Sequence, residues 1–291
     1  MKRKLVKQGA ATMMISLPAK WIKQNKLDKG DEIDLEEKDR NLIISTEKIK
    51  GGTKEVVDIS GMLPLVNRTI MSYYIKGVDE LEVKFKEREE IQDFQKRVIN
   101  ELLGFEIIKQ SQKSFLLKDI AGTELQDIDS IIKRLIFIID SMIEELIEAI
   151  DNNQDIQPVI EIDSSINKFA NFCLRMLNKK GYKKLDKTSQ IYSVVSLLEE
   201  IGDLIKRIAI SIENKEKVEK NNLNILKLIK QQINLFKQLF FNFEKKELIN
   251  FAKNYEQIKS NIKGKTKIDL YLHELNDTII RLNNHLLIIS F

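Results

Sequence analysis

From Gly122 to Phe291 the chain meets a single proline, Pro158, while its apolar residues return every three or four positions. That combination leaves little choice of fold. Proline ends a helix more sharply than any other residue, and a 3.6-residue period lays one apolar stripe along each helix. In LIFIIDSMIEELIEAI and VVSLLEEIGDLIKRIAISI the stripe continues for about four and five turns. Six helices are predicted, at about 124–151, 157–180, 187–214, 218–242, 244–262 and 266–290, with Thr123 and Gln126 as a capping box at the first start. No apolar run approaches the roughly 18–20 residues that cross a bilayer, so no membrane span is predicted.

An internal repeat divides the six helices into two sets of three. LEEIGDLIKRIA at 198–209 aligns without a gap to LHELNDTIIRLN at 272–283, an offset of 74 residues that pairs Asp203 with Asp277 and Arg207 with Arg281. Upstream, KEVVDIS, ELEVKF, FEIIKQS and SFLLKDI alternate as strands do. LPLVNRTIMSYYIKG and EREEIQDFQKRVINELLG between them read as helices, each closed by a glycine. The order β-α-β-α-β-β predicts a small α+β domain over 53–120, with Gly51-Gly52 as a linker before it. Residues 1–50 read as two short strand pairs around one helix opened by Pro18, with turns at Gly9 and Gly30. So few apolar residues make no core of their own, and pairing of two chains is expected. The predicted class is multidomain and mainly α: a β domain at 1–50, the α+β domain at 53–120, and a pair of three-helix bundles at 122–291.

Charge is distributed unevenly along this frame. MKRKLVKQGAATMMISLPAKWIKQNK holds seven positive charges and no acid, so the rest of the chain sums to −3 against a total of +4. A secretion signal is excluded, because Thr12 and Ser16 interrupt the apolar stretch and Lys20, Trp21 and Lys23 follow it. Two readings stay open for the basic start: a grip on nucleic-acid phosphates, or a solvated surface. The only cysteine is Cys173, which excludes an internal disulfide and fits a reducing cytoplasm; with His273 and His285 the only histidines, a zinc cluster is excluded as well.

Residue order says more than charge does. RKLVKQGAATMMISLPAKWIKQNKLDKGDEIDLEEKDRNLIIST has a basic first strand, Gly9, a strand ending in LP, an amphipathic helix and the turn LDKGDEIDL. In these features it resembles the AbrB/SpoVT/MazE family of swapped-hairpin domains. The resemblance implies an interlaced homodimer that binds DNA through the first strand, the loop after it and the helix. By position those roles fall to Lys2, Arg3, Lys4, Lys7, Thr12, Lys20 and Lys23. Where many members carry an arginine after the loop glycine, this chain has Ala10, Ala11 and Thr12. Trp21 reads as an anchor for the helix.

In the helical half, Glu199 and Asp203 are four apart and share a face. Like charges there need relief. Arg207 offers it as the i+4 partner of Asp203, and Arg281 stands in the same relation to Asp277; a bound cation is the alternative. EEIGD at 199–203, following DIQPVIEIDSSINKFANFCLRML, resembles the Glu-Arg-Ile-Gly-Asp helix of the PhoU phosphate-uptake regulators, with Glu200 in place of the arginine. That resemblance implies two repeated three-helix bundles that bind a divalent or ferric metal through acid-x-x-x-Asp motifs. Carried over, the ligands are Glu199 and Asp203, then Asp163 (with Asn167 where its second acid belongs), and His273 and Asp277 in the second repeat. An AbrB-like head on a PhoU-like tail is similar to archaeal phosphate-uptake regulators. It implies a homodimeric, cytoplasmic, DNA-binding regulator of phosphate uptake, or an adaptor that contacts a phosphate transporter or sensor kinase. No nucleophile–base pair or phosphate-cradling glycine loop points to an enzyme.

Overall fold

The chain is described here by a computed structural model covering residues 1–38, 41–46, 52–121 and 127–291. It divides into two compact units, Met1–Thr53 and Lys54–Phe291.

In the first unit, β1 (Val6–Gln8) and β2 (Thr12–Met14) form an antiparallel hairpin. Its turn holds Gly9 at φ +78°, a conformation that only glycine adopts without strain. Pro18 is extended and opens α1 (Ala19–Gln24), which ends where Asn25 donates its side-chain N–H to the Trp21 carbonyl at 2.8 Å. Asp31 accepts the Asp28 N–H at 2.8 Å and closes the turn that carries Gly30 at φ +100°. β3 (Ile33–Lys38) and β4 (Asn41–Thr46) then pair antiparallel. Ile33, Leu35, Leu42 and Ile44 fall on one face of that pair, since side chains alternate along each strand. Gly51, half of the predicted linker, lies outside the described residues, as do 39–40 of the hairpin turn.

The second unit begins with β5 (Lys54–Asp58), α2 (Val66–Lys76) and β6 (Glu80–Lys84), a parallel pair joined by a helical crossover. β7 (Phe105–Gln110) and β8 (Ser114–Asp119) complete a sheet of order β5-β6-β8-β7. Alternation puts Val57, Leu81, Val83, Phe115 and Leu117 on the face that Val66, Ile70, Tyr74 and Phe94 cover. The long helix expected from EREEIQDFQKRVINELLG is broken. A 3-10 turn at Arg88–Ile91, α3 (Gln92–Lys96) and a second 3-10 turn at Val98–Glu101 replace it. The buried Glu90 carboxylate accepts N–H groups from Gly61, Lys86 and Glu87, and this pins the first turn against the β5–α2 loop. Ile91, Phe94, Val98 and Leu102 still face the sheet. Tertiary contacts override the local period there.

The tail contains α4 (Ile128–Asn152), α5 (Gln157–Lys180), α6 (Thr188–Glu213), α7 (Lys220–Phe241), α8 (Lys245–Asn261) and α9 (Lys267–Ser290). All six follow the predicted spans closely. The Thr123–Gln126 box lies outside the described residues; Asp127 caps α4 by accepting the Ser130 N–H at 3.2 Å. One apolar core runs through the whole tail, and α6 against α9 is its most extensive helix pair. There the 74-residue repeat becomes visible as structure. Arg281 donates to Glu200 at 2.6 Å, and Arg207 approaches Glu274 at 4.0 Å, so each repeat lends its arginine to the other's glutamate. The expected pairing of Arg207 with Asp203 and of Arg281 with Asp277 inside one helix gives way to this exchange between helices.

Gly202, the glycine of EEIGD, faces Ile166 so closely that a Cβ would sit 2.7 Å from Ile166 Cδ1 and 3.1 Å from its Cγ2. Gly202→Val should therefore lower stability by about 1–3 kcal/mol through overpacking, read as a fall in the urea midpoint.

The α+β layer and the helices share one unit through Arg175 of α5. Its guanidinium is fully buried and donates to the Tyr74 and Val78 carbonyls at 2.9 and 2.7 Å, and to Asp79 and Asp119 at 3.0 Å each. It also lies against the Tyr74 and Phe105 rings, 5.1 and 4.7 Å from their centroids. Asn178 adds a bond to the Ile75 carbonyl at 2.8 Å, and Lys179 pairs with Asp79.

Candidate nucleic-acid interface and acid cluster

The seven residues expected on DNA are all exposed. Lys2, Arg3 and Lys4 precede β1, Lys7 lies within it, and Lys20 and Lys23 sit three apart on one side of α1. Thr12 is placed differently. It pairs with Gln8 while Lys7 pairs with Met13, so Thr12 and Lys7 project from opposite faces of the hairpin. A surface that uses Lys7 therefore presents Met13 rather than Thr12. Around these cations the apolar residues lack cover: Leu5, Val6, Met13, Met14, Ile15, Leu35 and Leu42 are exposed, α1 buries no residue, and among the described residues of this unit only Thr46 is buried.

The second cluster lies where α5 meets α6. The Asp163 side chain is 3% exposed, and its Oδ2 accepts from the Lys206 ammonium at 2.6 Å and from the Asn167 amide at 3.1 Å. Its Oδ1 is buried with no N–H donor, and Asp203 of α6 hydrogen-bonds Asp163 when one of the two carboxyls holds a proton. Burial, followed by the nearby charges of Asp203 and Asp163, pushes the Glu199 carboxyl up to about 7. Asp203 is raised by burial and by Asp163, with Lys206 and Arg207 acting against the shift. Glu101 joins from the α+β layer; burial raises its carboxyl, and it lines with Glu199 and Asn167 a cavity of about 390 Å³.

This sets a pH dependence. The Glu199 carboxyl binds its proton more tightly in the folded chain than at its ordinary value of 4.5. Its contribution to stability is therefore complete below about 4.5 and is lost as pH rises through about 7. Glu199→Gln should remove that decline and raise stability at pH 8 by about 1–2 kcal/mol after solvent screening, measured by urea unfolding at pH 5 and 8.

In the second repeat the chemistry is different. His273 Nδ1 lies 3.2 Å from Asp277 Oδ2, and Tyr255 donates its hydroxyl to Asp277 Oδ1 at 2.9 Å. Lys259 in turn donates to the Tyr255 oxygen at 3.2 Å. A phenol and an ammonium thus stand where α5 offers Asp163 and Asn167. The five residues expected to hold metal split into these two places, and among the described residues no three His, Cys, Asp or Glu side chains are arranged around a common ion. As they stand, the residues do not fit a metal. Asp163 already carries an ammonium, and Asp277 is occupied by Tyr255 and His273.

Residues 132–212, from α4 through nearly all of α6, match the family model for the PhoU domain. Residues 6–54 match the model described as antidote-toxin recognition MazE, bacterial antitoxin. The chain joins a MazE/AbrB-type head to a PhoU domain. The MazE-type match begins at Val6, so Lys2, Arg3 and Lys4 lie outside it, and the PhoU match covers the first three-helix repeat. Neither a curated protein nor a solved structure matched in the other two comparisons. Both matched families are regulatory domains.

Three residues that matter here were not singled out from sequence: Arg175, Lys206 and Glu101. Arg175 had a signal, since it interrupts the apolar run of NFCLRML, where a charge must either turn outward or be fully paired. Lys206 stands three residues after Asp203, but which acid it joins depends on how α5 packs against α6. Cys173 is apolar filler as expected; burial pushes its thiol up to about 12.

Proposed function

We propose that this protein is a homodimeric, DNA-binding regulator of phosphate uptake that works in the cytoplasm. The observation that carries the reading is one chain in which a MazE/AbrB-type head, free of acid to Lys26, is covalently joined to a PhoU domain. The exposed Leu35 and Leu42 on the β3–β4 face supply an apolar surface for a second copy to cover. Dimerisation doubles the basic residues offered to a duplex, and phosphate contacts of this kind set position and affinity. The PhoU domain and the α+β layer fixed to it form the part that receives the signal. Among the described residues no helix is long and apolar enough to cross a membrane.

Binding-site selection from random duplex DNA with the full-length chain, followed by sequencing, tests the reading. An enriched motif, palindromic as a two-fold dimer requires, is the expected result; recovery of unselected sequence would speak against it. The description of the matched head, recognition of a toxin protein, favours one second reading. In it the head dimerises without touching DNA, and the chain regulates a phosphate transporter or its sensor kinase through protein contacts.

A further inference from the structure

We propose that Lys206 is a tethered cation that takes the place of an exchangeable metal ion on Asp163, Glu199 and Asp203. The PhoU repeat of this chain would then be neutralised by its own side chain. The inference rests on the PhoU match and is independent of whether the head binds DNA.

Four observations carry it. The Lys206 ammonium sits 2.6 Å from a carboxylate oxygen whose side chain is 3% exposed, so this is no solvated surface pair. Asn167, where the family pattern has a second acid, donates its amide N–H to the same oxygen at 3.1 Å and brings no negative charge to the cluster. Asp203 of α6 hydrogen-bonds Asp163, which two carboxyls can do only when one holds a proton, so a shared proton adds to the ammonium in relieving the cluster. The second repeat reaches the same end by other means, with the Lys259 ammonium held over Tyr255, which itself bonds Asp277.

Charge accounting explains why the lysine excludes an ion. Asp163 acts electrostatically on Glu101, Glu199 and Asp203, and Glu199 is acted on by Asp203 and Glu101 as well. Lys206 is the cation bonded directly among them. A divalent ion arriving through the cavity beside Glu199 would have to displace the ammonium or share Asp163 with it. Replacing Lys206 with a neutral residue of similar length removes that competitor and frees Asp163, beside Glu199 and Asp203, to draw in an ion.

The test uses the full-length chain, stripped of metal and titrated with Mn²⁺ alone, with free Mn²⁺ read from its electron paramagnetic resonance spectrum. Wild type should show only weak, unsaturated uptake. Lys206→Met should gain one saturable site, tighter by about a hundredfold, the weight of one unit charge in a half-buried cluster. Adding Asp203→Asn to that variant should abolish the gain. If Lys206→Met does not fold alone, Lys206→Gln takes its place, and a rise in its melting temperature on adding Mn²⁺, absent in wild type, reports the same site. Stoichiometric Mn²⁺ on wild type as tight as on the variant would overturn the proposal. So would a folded variant with no gain, or a gain that survives Asp203→Asn.

Discussion

Arg175→Met should lower the free energy of unfolding by about 3–5 kcal/mol, the usual consequence of removing one partner from a fully buried ionic group. The guanidinium donates to the Tyr74 and Val78 carbonyls and to Asp79 and Asp119 together. A methionine of similar length refills the space between the Tyr74 and Phe105 rings but brings no N–H. The two apolar cores of the second unit are separate clusters, with Ile75 touching both. Loss of the bolt should therefore do more than shift the midpoint. Urea unfolding followed by circular dichroism and by tyrosine fluorescence should coincide in wild type and separate in the variant, with the α+β layer melting first. Coincident curves at an unchanged midpoint would mean that Arg175 does not fasten the layers.

The second large effect concerns the head. Reversing Lys2, Arg3, Lys4 and Lys7 to glutamate should weaken DNA binding by about 10³-fold or more at low ionic strength, and flatten the salt dependence by up to about seven units of slope for two copies. All four side chains are exposed, so the fold and the dimer should survive, as checked by circular dichroism and light scattering. Under the adaptor reading the same variant keeps its full regulatory effect, because no phosphate contact is lost.

Much of this fold can be read from sequence because its causes are local. Pro158 begins α5, the three-and-four spacing sets the six long helices, and Gly9 and Gly30 hold turns that need positive φ. Where the cause is distant, reading fails. The helix expected over 87–104 breaks because Glu90 bonds the backbone of Gly61, far away in sequence. Arg207 and Arg281 pass over their nearest acids because α6 and α9 lie side by side. The acid cluster was half legible. Glu199, Asp203 and Asp163 do gather, drawn together by helix periodicity and the packing of Gly202 on Ile166. Its neutralising partner was not, since nothing in LIKRIA says which neighbour Lys206 will meet.

DNA binding by the head can be measured directly. Fluorescence anisotropy of a labelled duplex, titrated with the full-length chain at several salt concentrations, reads affinity and its electrostatic origin together. Saturable binding is expected, with log affinity falling linearly against log salt. For six to ten phosphate contacts the loss is about 10³–10⁵ between roughly 50 and 200 mM salt. Absence of binding at the lowest salt, or binding indifferent to salt, would contradict DNA recognition by the basic head.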